Sequence, residues 1–182
     1  MRAGEAKEVA EVHCEAFPGY SLTLLGWRFL ELYYEQLRRD PSGITIVAAG
    51  SDEIAGFAAG AMNPRGFYTG LFKRRWFAFM LAALPGALRH PKVIPRLLHT
   101  PQYPGKLPAG EDLVTLSSIA VRSNVKGAGV GARLMKEFLA QAKLRGASCV
   151  VWGSKKRDKA ANRFYEKVGY SEVKEFRDTQ DE

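Results

Sequence analysis

SSIAVRSNVKGAGVGARLM, residues 117–135, runs an apolar strand into a glycine-rich turn that opens an amphipathic helix. Gly127, Gly129 and Gly131 remove Cβ atoms where a backbone must come close to a ligand, so that successive N–H groups can point at phosphate oxygens. The unpaired N–H groups and the positive dipole of the following helix add to that attraction. A Walker loop would need Lys-Ser or Lys-Thr after the glycines, and neither follows. A dinucleotide fingerprint would lie early in a βαβ unit with an acid about 20 residues on. Here the glycines come late, and Arg145 and Gly146 fall where the acid should be. The stretch therefore reads as a pyrophosphate cradle of another kind.

Lys126-Gly127-Ala128-Gly129-Val130-Gly131 resembles the R/Q-x-x-G-x-G/A loop of the GNAT superfamily of acyl-CoA N-acyltransferases, and the preceding LSSIAV resembles its central strand. Lys126 stands where that family usually has Arg or Gln. About 30 residues downstream, AANRFYEKVGY, residues 160–170, resembles the family's AxxFYxxxGF segment, with Tyr170 for the last Phe. The resemblance is specific over 113–170 and general over the first hundred residues. It implies one α/β acyltransferase domain over 1–182. A mixed central sheet would be flanked by helices, with a helical insertion between strands and shortened N- and C-terminal strands.

The resemblance also implies acetyl-CoA as co-substrate, with no metal. Backbone groups around Ile119, Ala120 and Val121 would hold the pantetheine arm and polarise the thioester carbonyl. Lys126, Gly127, Ala128, Gly129, Val130, Gly131 and Ala132 would hold the pyrophosphate. Tyr165 matches the frequent general acid of the family, whose phenol protonates the departing sulfur. Asn162, one turn earlier, would hydrogen-bond the coenzyme, and Asp158 occupies a position where many members carry Asn. Where members often place a Glu on the central strand, this chain has Thr115, Leu116, Ser117 and Ser118. The base is then Glu111 or Asp112, just before the strand and acting through a water, or His13, whose unperturbed pKa suits the task. The segment HCEAFPGYSLTLLG, residues 13–26, resembles the acceptor-binding helix pair of members found with bacterial surface-polysaccharide genes.

At 182 residues the chain is of ordinary domain size, and 46% hydrophobic with 25% charged residues reads as a globular protein. MRAGEAKEVAEVH has no apolar h-region, which predicts no secretory signal and a cytoplasmic location. Cys14 and Cys149, two and far apart, read as reduced core thiols. The net charge of +8 points to anionic partners. Coenzyme A would use part of it and an anionic membrane surface could use more. Nucleic acid is not expected, because Lys73-Arg74-Arg75 and Lys155-Lys156-Arg157 lack interleaved aromatics and no helix-turn-helix or zinc signature accompanies them.

Apolar spacing predicts a first helix over about residues 5–17, and a second from Ser21 or Thr23 to about Gln36. A hairpin of 44–48 and 54–58 follows, then the central strand over 113–121, a helix over 128–144, a strand over 147–152 and a helix carrying Ala161, Phe164 and Val168 inward. A closing strand is left only about 172–176. A sheet shortened in this way would expose an edge, a route to a homodimer.

Residues 65–110 form an insert longer than most connections in compact domains. Trp76, Phe77, Phe79, Met80, Leu81 and Leu84 follow a basic triplet until Pro85-Gly86, where a break is expected. The apolar run of about 13 residues is too short to span a bilayer. The insert reads as a helical pair packed on the domain or at a dimer contact; a lid over the acceptor site, or a patch resting on anionic lipid, is the other reading. For function, the expectation is N-acetyl transfer to a small primary amine, amino sugars first. Acetylation of a protein N-terminus or lysine, and a non-catalytic acyl-CoA sensor of the same fold, are the rivals.

Overall fold

The computed structural model describes residues 1–50, 53–94, 112–154 and 158–170. It is a mixed α/β structure. Met1–Val151 forms one compact unit and Trp152–Glu182 a second. In the first, β1 (Gly43–Ala49), β2 (Ile54–Met62), β3 (Leu113–Val121) and β4 (Cys149–Val151) make one sheet in the order β1-β2-β3-β4. β1/β2 and β2/β3 are antiparallel, and β3/β4 is parallel.

Helices cover both faces. α1 (Ala6–Ala16) and α3 (Trp27–Arg39) pack on one side, where Val9, Val12, Leu30, Tyr34 and Leu37 are buried with Phe57 of β2. α5 (Val130–Leu144) covers the other with the apolar stripe Leu134, Met135, Phe138 and Ala142 that its spacing predicts. β2 is sandwiched, which explains its run of small residues. A Cβ on Gly60 would lie 2.1 Å from the Thr115 carbonyl oxygen and 2.7 Å from Phe138 Cζ, so only glycine admits both the neighbouring strand and the helix here.

The β2/β3 register runs Ala59↔Ser118 and then Gly60↔Leu116, leaving Ser117 as an extra residue in β3. This is a β-bulge, and it changes which groups the strand offers where. Arg122 N–H bonds Ala55 C=O and Asn63 N–H bonds Leu113 C=O, which fixes the alternation on either side. Leu113, Thr115, Ser118 and Ala120 turn their backbone groups to β2; Val114, Leu116, Ile119 and Val121 turn theirs away.

The expected second helix is interrupted. α2 (Ser21–Leu24) ends before Gly26, whose φ of +97° suits glycine and starts α3 afresh. β2 extends four residues beyond the expected hairpin arm, and β4 is only three residues long with Cys149 exposed rather than in a core. α5 begins at Val130, not 128, because Gly129 is left-handed. In the insert, α4 (Pro64–Arg89) continues through Pro85, and its one non-helical residue is Arg75. Phe79 and Gly86 explain the continuity. The Phe79 ring packs 5.2 Å from Phe29, and a Cβ on Gly86 would lie 2.5 Å from the Leu25 carbonyl oxygen, so tertiary packing outweighs the hydrogen bond that Pro85 cannot donate. Residues 95–110 of the insert and the expected closing strand at 172–176 lie outside the described residues.

In the second unit, α6 (Lys159–Lys167) is capped by Asp158, whose carboxylate accepts from Ala161 N–H at 3.0 Å. Ala161, Phe164 and Val168 are half-buried rather than fully enclosed.

Candidate active site

β4 pairs with β3 only from Leu113 to Thr115. Beyond that point β3 runs on for six residues with β2 on one side and, among the described residues, no strand on the other, so the backbone groups of Ile119 and Val121 face an open edge. Ala120 is different. Its N–H and C=O belong to the pairing with Phe57, so of the three expected pantetheine contacts two present backbone groups with no strand partner among the described residues and the third holds the strand in place.

The chain leaves that edge through a 3-10 turn (Ser123–Val125) and enters the glycine loop. Lys126, Gly127, Ala128 and Gly129 are all exposed. Gly127 and Gly129 have φ of +85° and +78°, the region where an L side chain is strained. Gly129 is the N-cap of α5 and no side chain caps the helix, so the N–H groups of Val130, Gly131 and Ala132 have no acceptor within it. Arg133 N–H is the first to bond back, to Gly129 C=O. Three amides at the positive end of a 15-residue helix, with a lysine just before them, suit a diphosphate.

Glu15 of α1 fixes where this loop begins. Its carboxylate accepts from Ser123 N–H at 2.8 Å and from Ser123 Oγ at 2.7 Å, and it meets Arg122 at 3.3 Å. These bonds to Ser123, with the nearby guanidinium, hold the Glu15 carboxyl below its ordinary range. Arg122 also donates to Ile54 C=O at 3.0 Å and pairs with Glu53 at 3.1 Å, tying the end of β3 to the start of β2.

Two adjacent tyrosines on α3 meet two adjacent serines at the bulge. Tyr33 Oη lies 3.4 Å from Tyr68 Oη of α4, which lies 3.2 Å from Ser117 Oγ. Tyr34 hydrogen-bonds Ser118 and, at 2.6 Å, His13 Nδ1. Burial pushes both α3 phenols well up, so they are neutral donors. Tyr68 and Ser117 are half-buried, and the network reaches the surface through them. His13 is 3% exposed, packs 4.8 Å from Phe17, and has an Nε2 with no partner among the described residues. Burial lowers its pKa to about 4. The imidazole is therefore neutral near pH 7, with Nδ1 on the Tyr34 hydroxyl.

Glu111 and the basic run at 155–157 lie outside the described residues. In the second unit, Tyr165 sits on α6 with its ring 4.9 Å from Trp152 and 6.4 Å from Tyr170. Asn162, one turn earlier, accepts from Ser154 Oγ. Asp158 already has a task as the α6 cap, which accounts for an acid at that position. Among the described residues, no group of His, Cys, Asp and Glu is placed to hold a metal ion.

Sequence reasoning missed Glu15, Arg122, Tyr33, Tyr34 and Tyr68, because their roles come from contacts across 21 to 108 residues of chain. The Tyr-Tyr and Ser-Ser pairs are visible in the sequence, but nothing there joins them.

Solved structures share this fold at low identity. The aminoglycoside N-acetyltransferase AAC(6')-Iy, in complex with the CoA bisubstrate analogue CoA-S-monomethyl-acetylneamine, superposes with a TM-score of 0.65 at 12% identity, covering 100% of this chain and 95% of that one. A transcriptional regulator from Bacillus halodurans C-125 gives 0.62 at 14%, covering 99% and 95%. The ribosomal-protein-S18-alanine N-acetyltransferase from Escherichia coli gives 0.56 at 13%, covering 96% and 76%. No curated protein sequence matches the chain significantly. The profile of the acetyltransferase (GNAT) family matches residues 6–170, and with nearly the whole length matched the chain belongs to that family.

Proposed function

We propose that this protein is an N-acetyltransferase that moves the acetyl group of acetyl-CoA to the primary amine of a small molecule, with amino sugars as the favoured class. The observation that carries the reading is the open half of β3 running into the uncapped start of α5. Ile119 and Val121 offer peptide groups to the amides of a pantetheine arm, and the Val130, Gly131 and Ala132 amides suit its diphosphate, with Lys126 adding charge.

Bound acetyl-CoA supplies a thioester carbonyl; a C–N bond forms, the C–S bond breaks, the amine gives up a proton and the sulfur gains one. An N–H of the open β3 edge polarises the carbonyl, fixed by the strand before reaction begins. Tyr165 gives its phenolic proton to the sulfur, a role resting on its match to the family segment. Glu111, through a water, takes the amine proton. Tyr68 and Ser117 hydrogen-bond hydroxyls of the acceptor, which is why a polyhydroxylated amine is favoured over a plain alkylamine. That one solved neighbour is bound to an acetylneamine analogue supports this class, and that another acetylates a ribosomal protein keeps peptides in the test.

The test is thiol release from acetyl-CoA in the presence of glucosamine, an aminoglycoside and a peptide library. Turnover with amino sugars, lowered in Tyr165→Phe at unchanged acetyl-CoA affinity, is the expected result. Turnover on peptides alone would overturn the acceptor class. Tight acetyl-CoA binding with no release to any amine would replace the enzyme with a sensor.

A further inference from the structure

α4 is apolar on two opposite sides. At about 100° per residue, Phe79, Ala82, Ala83 and Gly86 turn to the protein, while Trp76, Phe77, Met80, Leu81, Leu84 and Leu88 fall within an arc of about 140° on the other side. Those six are exposed, from 49% for Met80 to 74% for Leu88. Monomeric proteins rarely leave a contiguous apolar patch of this kind bare without a use for it.

The charge of the chain is concentrated in the same stretch of sequence. Of 27 Lys and Arg, eight fall in residues 54–110, and of 19 Asp and Glu none does. The other 19 cations balance the 19 acids, so the whole +8 excess belongs to this segment. Lys73, Arg74 and Arg75 are exposed just before the apolar arc, and Arg89 and Lys92 are exposed just after it. The ion pairs among the described residues all lie elsewhere, at Glu35, Glu15 and Glu53.

We propose that the exposed face of α4 docks in the plane of an anionic lipid bilayer. The apolar arc would enter the headgroup boundary with the flanking cations among the lipid phosphates. Charge decides between lipid and the other occupants. A second copy would bring five more cations to a face with no acid to pair them, and an oligonucleotide offers no apolar phase for six aliphatic and aromatic side chains. No helix among the described residues is long and apolar enough to cross the membrane, so the contact is interfacial.

The full chain is to be sedimented with vesicles of phosphatidylcholine containing about one-third phosphatidylglycerol, and with phosphatidylcholine alone. Binding is expected to the first and not the second, with quenching of tryptophan fluorescence by brominated lipid that disappears in Trp76→Phe. Each cation near the surface contributes about fivefold in partitioning, so Lys73→Glu, Arg74→Glu and Arg75→Glu together should lower it about a hundredfold or more. Leu84→Ser with Leu88→Ser should abolish it, and unchanged thermal midpoints for these exposed substitutions show that folding is intact. Absence of sedimentation, equal binding to neutral vesicles, or an unaffected triple variant would each overturn the proposal. So would a dimer in light scattering that shields Trp76, or preferential capture of an oligonucleotide.

Discussion

Lowering the pH should destabilise this protein through one buried ring, and replacing that ring should remove the effect. His13 has an ordinary pKa of 6.5 in the unfolded chain and about 4 in the folded one, lowered by burial. Between those values the unfolded state binds the extra proton, so stability falls as pH drops through 6.5 and levels off near 4. Integrating that difference between about pH 7.5 and about pH 4.5 gives a loss of about 2.5 kcal/mol. His13→Leu puts an apolar side chain beside Phe17 and Phe57, removes an Nε2 that has no partner among the described residues, and leaves Tyr34 its bond to Ser118. At neutral pH the loss of the Tyr34 bond and the gain from the orphan nitrogen nearly offset, leaving a change within about 1 kcal/mol. The assay is urea unfolding of both proteins across the pH series, checking that the m-value holds. Carboxylates such as Glu35, held down to about 2 chiefly by Arg38, act below 4.5 in both proteins and cancel in the difference. Parallel stability curves would refute the reasoning, since they would mean that His13 titrates as in water and is open to solvent.

In isothermal titration, Gly129→Glu should weaken acetyl-CoA binding at least about tenfold, because it strains a φ of +78° and puts an anion in the proposed diphosphate cradle. Glu15→Gln should weaken the same binding about threefold through a looser Ser123, with catalytic turnover at saturation preserved. Gly60→Ala should cost about 3 kcal/mol or more in urea unfolding, since the neighbouring contacts are strand backbone and a packed ring. Tyr68→Phe should raise the acceptor KM about tenfold and leave the acetyl-CoA KM alone, and equal effects on both would remove it from the acceptor side.

The parts of the fold legible in the sequence are those fixed by local chemistry. β3 has the expected bounds because its apolar run is closed by Arg122 and the turn, and α5 shows its buried stripe in its spacing. Gly26 and Pro85 were misread for opposite reasons. The first breaks a helix through a positive φ that spacing conceals, and the second is tolerated because Phe79 and Gly86 pack on their far side. Within the candidate site, the glycine loop was legible because backbone conformation selects glycine. The hydroxyl network was not, because it needs α1, α3, α4 and β3 brought together, and no local pattern records that meeting.

Ser117 makes β3 one residue longer than β2 between the Asn63–Leu113 and Ala55–Arg122 bonds. That surplus decides the orientation of everything downstream of it, independently of what the residues are. Deleting Ser117 would remove the surplus, so regular pairing would resume with the peptide groups of Ile119 and Val121 still turned to the open edge. Keeping every residue but flattening the bulge does the opposite, turning the groups of Ile119 and Val121 into the sheet and offering those of Ala120 instead. With its length unchanged, the strand therefore depends on keeping its bulge, a feature that side-chain identity alone does not record.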